Sequence, residues 1–305
     1  MKRSLPRTEQ RNPRTRGLDL LPTMEMLRRL NREDAAVHAA VRRALPDIGR
    51  AVERCVKALR RGGRMIYAGA GTSGRLAVLD AAECPPTFGT PRGLVQAVIA
   101  GGTRALTQAV EGAEDSAAQG ARDLAARRVS SSDVVIGLTA SGSTRYVLGA
   151  LLYASKRGAT TVGVTCNRRT PVERVADVCI VVETGAEAIA GSTRLKAGTA
   201  QKMVLNLLST ATMVRLGHVY DNWMIDVALT NAKLRRRGAR ILAEAAGATP
   251  RQAEHALRLA GHNLRAALVM LKLGVDPAEA RRRLRNAGGD LRKALGETLR
   301  RKRPR

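Results

Sequence analysis

Gly69, Gly71 and Gly74, with Thr72 and Ser73 among them, follow a short apolar run, Met65-Ile66-Tyr67-Ala68, and precede a helical pattern through Leu76, Ala77 and Leu79. Residues of these types at this spacing suit anion binding. Backbone N–H groups and the positive pole of a helix face one point after such a strand, and Thr72 and Ser73 add hydroxyl donors. Glu83 follows about two turns into the predicted helix, so the pattern sets an acidic side chain near a candidate phosphate cradle. Cys84-Pro85-Pro86 is expected to stop that helix, because proline cannot continue one.

The three glycines spell G-x-G-x-x-G, the dinucleotide fingerprint, which needs an acid at the end of the next strand to hold a ribose. The next apolar run, residues 94–100, ends instead in Gly101-Gly102-Thr103. Hydroxyl side chains inside the turn favour a monophosphate, and the bland alternative is a glycine-rich turn with no ligand. A second turn of the same kind, Ala140-Ser141-Gly142-Ser143-Thr144, follows the run 133–140 and again opens a helix. Two such turns at strand ends can serve one phosphate. Ser192 and Thr193, ahead of a long apolar helix through Met203, Leu207 and Leu208, either cap that helix or touch ligand.

The elements that must position these residues alternate. Strands are expected at 65–69, 94–100, 133–140, 160–166 and 178–183, with helices at 74–83, 103–111, 115–127 and 144–157. That alternation predicts an α/β fold, a three-layer sandwich with a parallel sheet between helices, and ligands then bind at the carboxyl ends of the strands. Ahead of it, helical spacing runs from Thr23 to about Arg61, with Pro46 expected to end one helix and begin another. Residues 1–17 read as a mobile arm or a partner-wrapping tail. Behind it, residues 249–268 and 276–295 repeat, with Pro250/Pro277, Leu257/Leu284, Gly261/Gly288 and Leu264/Leu291 coinciding. Each copy reads as a proline-started helix, a glycine stop and a second helix start, a small module of the ubiquitin-associated type in outline. The expected division is a basic arm (1–20), an α/β phosphate-binding domain with N-terminal helices (21–240), a C-terminal helical module (241–299) and a basic tail (300–305).

Composition narrows the function classes. The chain has 305 residues, 44% hydrophobic, with a net charge of +27. The charge is uneven: Lys/Arg outnumber Asp/Glu by 17 to 7 over residues 1–64 and by 20 to 6 over 233–305, but only by 16 to 13 over 65–232. The part bearing the glycine-rich turns is thus nearly neutral, and aromatics make up 2% of the chain, too few for base-stacking platforms. Nucleic acid is expected to bind non-specifically if at all, through the basic flanks. Cys55, Cys84, Cys166 and Cys179 form no C-x-x-C, and His38, His218, His255 and His262 are scattered, so neither zinc nor a disulfide framework is expected. With no apolar run of membrane-spanning length and no secretory h-region, no membrane partner is expected and the cytoplasm is the default location.

Long stretches carry a resemblance over nearly the whole chain: residues 8–13 (TEQRNP), 69–89 (GAGTSGRLAVLDAAECPPTFG), 99–102 (IAGG), 109–115 (AVEGAED) and 191–220 (GSTRLKAGTAQKMVLNLLSTATMVRLGHVY). The chain resembles the N-acetylmuramic acid 6-phosphate etherase family, built on a sugar-isomerase (SIS) domain. The resemblance implies cleavage of the lactyl ether of the sugar phosphate to N-acetylglucosamine 6-phosphate and D-lactate in cell-wall recycling, by a homodimer with no metal or organic cofactor. It implies Glu83 as proton donor and Glu114 as the second catalytic residue, with Glu111, three residues before, the alternative on the same helical side. It puts Thr72, Ser73, Gly74, Ser141, Gly142, Ser143, Thr144 and Ser192 at the substrate and its phosphate. Where family members usually read A-S-G-R-T-P-Y-V, this chain has Ser143 and Arg145 in place of the arginine and the proline. An unactivated ether resists direct hydrolysis. An opened sugar ring acidifies the C2 proton and makes the C3 oxygen a leaving group, so two carboxyl groups in opposite protonation states suffice for elimination and hydration. The rival readings are a sugar-phosphate-binding regulator resembling the glucokinase regulatory protein and a sugar-phosphate isomerase on the same fold.

Overall fold

The computed structural model describes residues 5–297, and the basic tail 300–305 lies outside them. The chain forms two compact units: one holds the chain up to Glu83 together with Arg92–Thr212, the other Cys84–Pro91 together with the chain from Met213 onward.

In the first unit five short strands, β1 (Met65–Gly69), β2 (Val95–Ile99), β3 (Val134–Leu138), β4 (Thr160–Thr165) and β5 (Val178–Val181), make one sheet in the order β2-β1-β3-β4-β5. Every pairing is parallel. β1 and β3 are buried at every position, which is why their sequences are unbroken apolar runs rather than alternating ones. Gly69 pairs with both Ile99 and Leu138, so the carboxyl ends of β2, β1 and β3 are level. Ile66 and Ala68 join Tyr146, Val147 and Leu151 of helix α4 (Arg145–Lys156) and Leu124 of α3 (Ala117–Ala126) in one buried cluster. Tyr67 points the other way, its hydroxyl 2.8 Å from Asp80 of α2 (Gly71–Phe88). A short α5 (Pro171–Val175) and a long α6 (Lys196–Arg215) complete the unit.

Four expectations are corrected. Helix α1 runs unbroken from Thr23 to Arg60 with Pro46 inside it. Its buried stripe continues on both sides of the proline, through Val37, Val41, Ala44, Ile48, Ala51 and Cys55, and Pro46 sits on the exposed face, where the carbonyl it frees is open to solvent. Likewise α2 starts at Gly71 and continues through Pro85-Pro86 to Phe88, closed by the Gly89 N–H on the Pro85 carbonyl at 2.9 Å. The helix expected over 103–111 is a 3-10 turn at Gly102–Leu106. The N-terminal arm, where described, is docked rather than mobile: Thr8, Asn12 and Thr15 are buried, and Thr8 exchanges hydrogen bonds with Asn167.

In the second unit a hairpin of β6 (Val219–Tyr220) and β7 (Trp223–Met224) precedes α7 (Ala232–Ala246), α8 (Pro250–Leu259), α9 (Leu264–Leu273), α10 (Pro277–Asn286) and α11 (Leu291–Ala294). The sequence repeat is a repeat of helix pairs. Thr249 and Asp276 cap α8 and α10 ahead of their N1 prolines, and Asn263 and Asp290 cap α9 and α11, each accepting orphan N–H groups of a first turn. Leu242, Leu257, Leu264, Leu268 and Leu291 fill the core between them.

One buried charge cluster ties the first unit together. Lys196, fully buried at the start of α6, donates to Glu33 of α1 at 2.7 Å. Asn12 and Arg14 of the docked arm donate to the same carboxylate. The Arg14 guanidinium foremost, with Lys196 and Asn12, holds the Glu33 carboxyl at about 2, well below its ordinary range. Removing one member leaves a buried charge unpaired. Glu33→Gln is therefore expected to cost about 3–5 kcal/mol in urea unfolding at neutral pH. A lowered folded-state pKa gives stability that is full above the unfolded-state value and is lost as pH falls through the folded one. The gap between wild type and variant is thus expected to narrow as pH drops from 4.5 toward about 2; a gap independent of pH contradicts the ionic account.

Candidate active site

At the carboxyl end of β1 the backbone turns so tightly that a Cβ on Gly69 would lie 2.7 Å from the Gly74 nitrogen. A Cβ on Gly74 would lie 2.5 Å from Ile99 of β2. Those two contacts draw the start of α2 down against the strand ends and leave Gly71, Thr72 and Ser73 in its first turn. The first-turn N–H groups of a helix have no partner within it, so this is where the positive pole of α2 is delivered. Arg75, one turn in, donates to the carbonyls of Leu106 and Gln108 at 3.1 and 3.0 Å and fixes the segment after β2 to the same helix.

The second turn follows β3, the neighbour of β1 in the sheet. Its centre is Thr139, a residue sequence reasoning missed. The Thr139 hydroxyl is 2.8 Å from Thr144 Oγ1 and 3.3 Å from Ser141 Oγ, and it accepts the Gly142 N–H at 3.1 Å. Ser141 Oγ in turn accepts from the Ser143 N–H at 3.2 Å and the Ser143 hydroxyl at 3.1 Å. Gly142 has φ +77°, and a Cβ there would lie 2.4 Å from Thr170, so the turn needs glycine on both counts. The hydroxyls form a hydrogen-bonded chain, Thr144–Thr139–Ser141–Ser143, at the N-terminus of α4, with Arg145 exposed at its first position.

The third component is the start of α6. Ser192 and Thr193 do not cap it. Glu187 does, accepting the Lys196 and Ala197 N–H groups at 2.9 Å each. Burial pushes the Glu187 carboxyl up, against the pull of those two backbone N–H groups. A carboxylate nine residues upstream carries no local capping signature, which is why the sequence offered only the nearer hydroxyls as candidate caps. Ala197 packs with Ala140 of the second turn, and a Cβ on Gly198 would lie 3.3 Å from the Thr72 methyl. The first turn of α6 therefore sits between the two hydroxyl-rich turns, and three helix N-termini converge beside the ends of β1 and β3. Ser73 is already engaged here, donating to Gln201 of α6 at 2.7 Å.

Glu83 lies apart from that convergence. Glu83 is exposed on α2; twelve residues past Gly71, it is about 18 Å down the helix axis. Below it Asp80 accepts from Tyr67 at 2.8 Å and Ser209 at 3.0 Å, pinning α2 to β1 and α6. Burial pushes the Asp80 carboxyl up. Glu114 is exposed in a 3-10 turn, Ala113–Asp115, anchored by Ala113 on the α3/α4 cluster. Glu111 is also exposed, just before that turn. Burial pushes the Cys55, Cys166 and Cys179 thiols up to about 12, which keeps them protonated and unreactive.

A profile of the glucokinase regulatory protein N-terminal SIS domain matches residues 47–156, and one of the SIS domain matches residues 109–211. The N-acetylmuramic acid 6-phosphate etherase of Salmonella dublin is 52% identical over 269 residues, 88% of this chain and 91% of that protein. That of Serratia proteamaculans is 53% identical over the same shares. Among solved structures, a phosphoheptose isomerase from Francisella tularensis superposes with a TM-score of 0.52 at 18% identity, covering 64% of this chain and 100% of its own, a likeness of fold.

Thr139→Val is expected to lower stability by about 1–3 kcal/mol in urea unfolding, because the buried Gly142 N–H loses its acceptor. Thr139→Ser keeps that acceptor and is expected to recover most of the loss; undiminished stability of Thr139→Val would contradict the role given to the hydroxyl.

Proposed function

This chain belongs to the N-acetylmuramic acid 6-phosphate etherase family, and we propose that it releases D-lactate from that sugar phosphate by elimination followed by hydration, leaving N-acetylglucosamine 6-phosphate. The observation that carries the reading is the convergence of three helix N-termini, with a hydrogen-bonded chain of hydroxyls, at the ends of β1 and β3. Such a place takes a phosphate dianion without a metal-bound counter-charge. Thr72, Ser73 and Gly74, Ser141 to Thr144, and Ser192 are the proposed phosphate and sugar contacts. With the ring open, Glu114 takes the C2 proton and Glu83 protonates the departing C3 oxygen. Water then adds to the alkene at C3.

The separation of Glu83 from the cradle bears on assembly. About 18 Å of helix is far longer than the span from phosphorus to C3 in a hexose 6-phosphate. Glu83 therefore serves the cradle of a second copy, in a homodimer. Leu79, one turn before Glu83 on α2, is 48% exposed, and Leu207 on α6 is 36% exposed; a dimer would cover them. The C-terminal helical repeat is assigned a packing or subunit-contact role, and the setting is cytoplasmic recycling of cell-wall sugars. No helix among the described residues is long and apolar enough to cross a membrane.

Incubation with N-acetylmuramic acid 6-phosphate is expected to yield D-lactate; turnover to an isomeric sugar phosphate without lactate would favour an isomerase, and binding without turnover a regulator. Glu83→Gln and Glu114→Gln are each expected to lose on the order of 100-fold or more in turnover while remaining folded. Mixed and re-equilibrated, the two inactive variants are expected to recover roughly a quarter of wild-type activity, because each mixed dimer holds one intact site. No recovery from demonstrably mixed dimers would place both glutamates on the chain whose cradle they serve.

A further inference from the structure

Gln201 lies in the second turn of α6 and is 1% exposed. Its Oε1 accepts the Ser73 hydroxyl at 2.7 Å. Its Nε2 is buried with no hydrogen-bond partner among the described residues. Among the described residues, Gln201 alone strands a buried amide nitrogen. A buried donor left unpaired is costly, and the arrangement has a second defect. A serine hydroxyl has one proton. While that proton goes to Gln201, Ser73 offers an anion only lone pairs, although it stands in the first turn of α2 beside the start of α6.

Turning the carboxamide over about its terminal torsion, which is soft, removes both defects. Nε2 then donates to Ser73 Oγ, and the serine proton is free for another acceptor. Oε1 takes the place of Nε2, and an under-satisfied carbonyl oxygen is better tolerated than an orphaned N–H. We propose that Gln201 is a positioning residue that turns the Ser73 hydroxyl proton onto the phosphate of the substrate, swinging its amide from acceptor to donor as the dianion arrives. No bond is made or broken; one hydrogen bond within the protein reverses direction and one to the phosphate forms. The inference rests on the cradle reading above, and names which element of α6 serves it.

Inorganic phosphate is the probe, titrated against the full chain, wild type and variant. Gln201→Met keeps the length and removes both hydrogen-bonding ends. It is expected to weaken phosphate binding about tenfold and to raise KM for the sugar phosphate by more than it lowers kcat. Gln201→Glu, which at neutral pH can only accept, is expected to weaken it at least as much. In a Ser73→Ala background Gln201→Met is not expected to weaken binding further, since the hydroxyl it acts through is gone. Equal losses in both backgrounds, or unaltered phosphate affinity in Gln201→Met, would overturn the proposal. If Gln201→Met fails to fold, Gln201→Leu, likewise neutral and without hydrogen-bonding ends, decides by the same cycle. Wild-type chain that binds no phosphate at all would overturn the cradle itself, whereas binding that ignores Gln201 overturns only the inference drawn here.

Discussion

The position of one helical turn governs the site. Lys196, Ala197 and Gly198 begin α6, and each is committed: Lys196 to Glu33, Ala197 to Ala140 and Glu187, Gly198 to the Thr72 methyl. A start of α6 placed an ångström higher would separate the two hydroxyl-rich turns from the third helix pole and would remove Gln201 from Ser73. The turn is held there by charge in a place where charge is expensive. Burying Lys196 and Glu33 costs several kcal/mol per ion before their attraction is counted. It persists because Arg14 and Asn12 satisfy the remaining oxygens of Glu33 and Glu187 satisfies the N–H groups of the turn. An apolar replacement of similar volume could match the stability but not the register, because no dispersion contact fixes an axial position as a 2.7 Å ion pair does.

Electrostatics follows from that register. The fields of α2 and α4 arrive at the ends of neighbouring strands because β1 and β3 pair in register, Gly69 against Leu138. The field of α6 arrives because of the buried ion pair. Helix poles act over about one turn, so their summation depends on this proximity and the high overall charge of the chain is irrelevant to it. The arginines of α10 illustrate where that charge resides: Arg281, Arg282, Arg283 and Arg285 are exposed, and Arg282 and Arg283 pair with Glu279 on their own helix. They are solvated helix face.

Much of this was legible in the residues. The unbroken apolar runs of β1 and β3 revealed a covered parallel sheet, and the helix pairs of the C-terminal repeat showed through their prolines and Asn/Asp/Thr caps. The two hydroxyl-rich turns were found by the same local chemistry that builds them. What escaped was non-local. Pro46 and Pro85-Pro86 read as breaks because a sequence window cannot weigh a lost hydrogen bond against a buried stripe that continues past it. The arm around Asn12 read as mobile because its buried partner, Glu33, is 21 residues away. Glu187 and Gln201 were invisible for the same reason: their work is done on Ala197 and on Ser73, and only the fold makes those pairs neighbours. Thr139 was passed over as the end of a strand, though a threonine directly before A-S-G-S-T was the available sign.

The central claim is that the C3–oxygen bond of the sugar breaks by elimination at this cradle, with water returning to the sugar. Turnover of N-acetylmuramic acid 6-phosphate in heavy-oxygen water tests it most directly, read by mass spectrometry of both products. Elimination and hydration predict label in the N-acetylglucosamine 6-phosphate and none in the lactate hydroxyl, together with deuterium at C2 when the solvent is deuterated. Label in the lactate hydroxyl would mean attack on the lactyl carbon, and would contradict the roles given to Glu83 and Glu114.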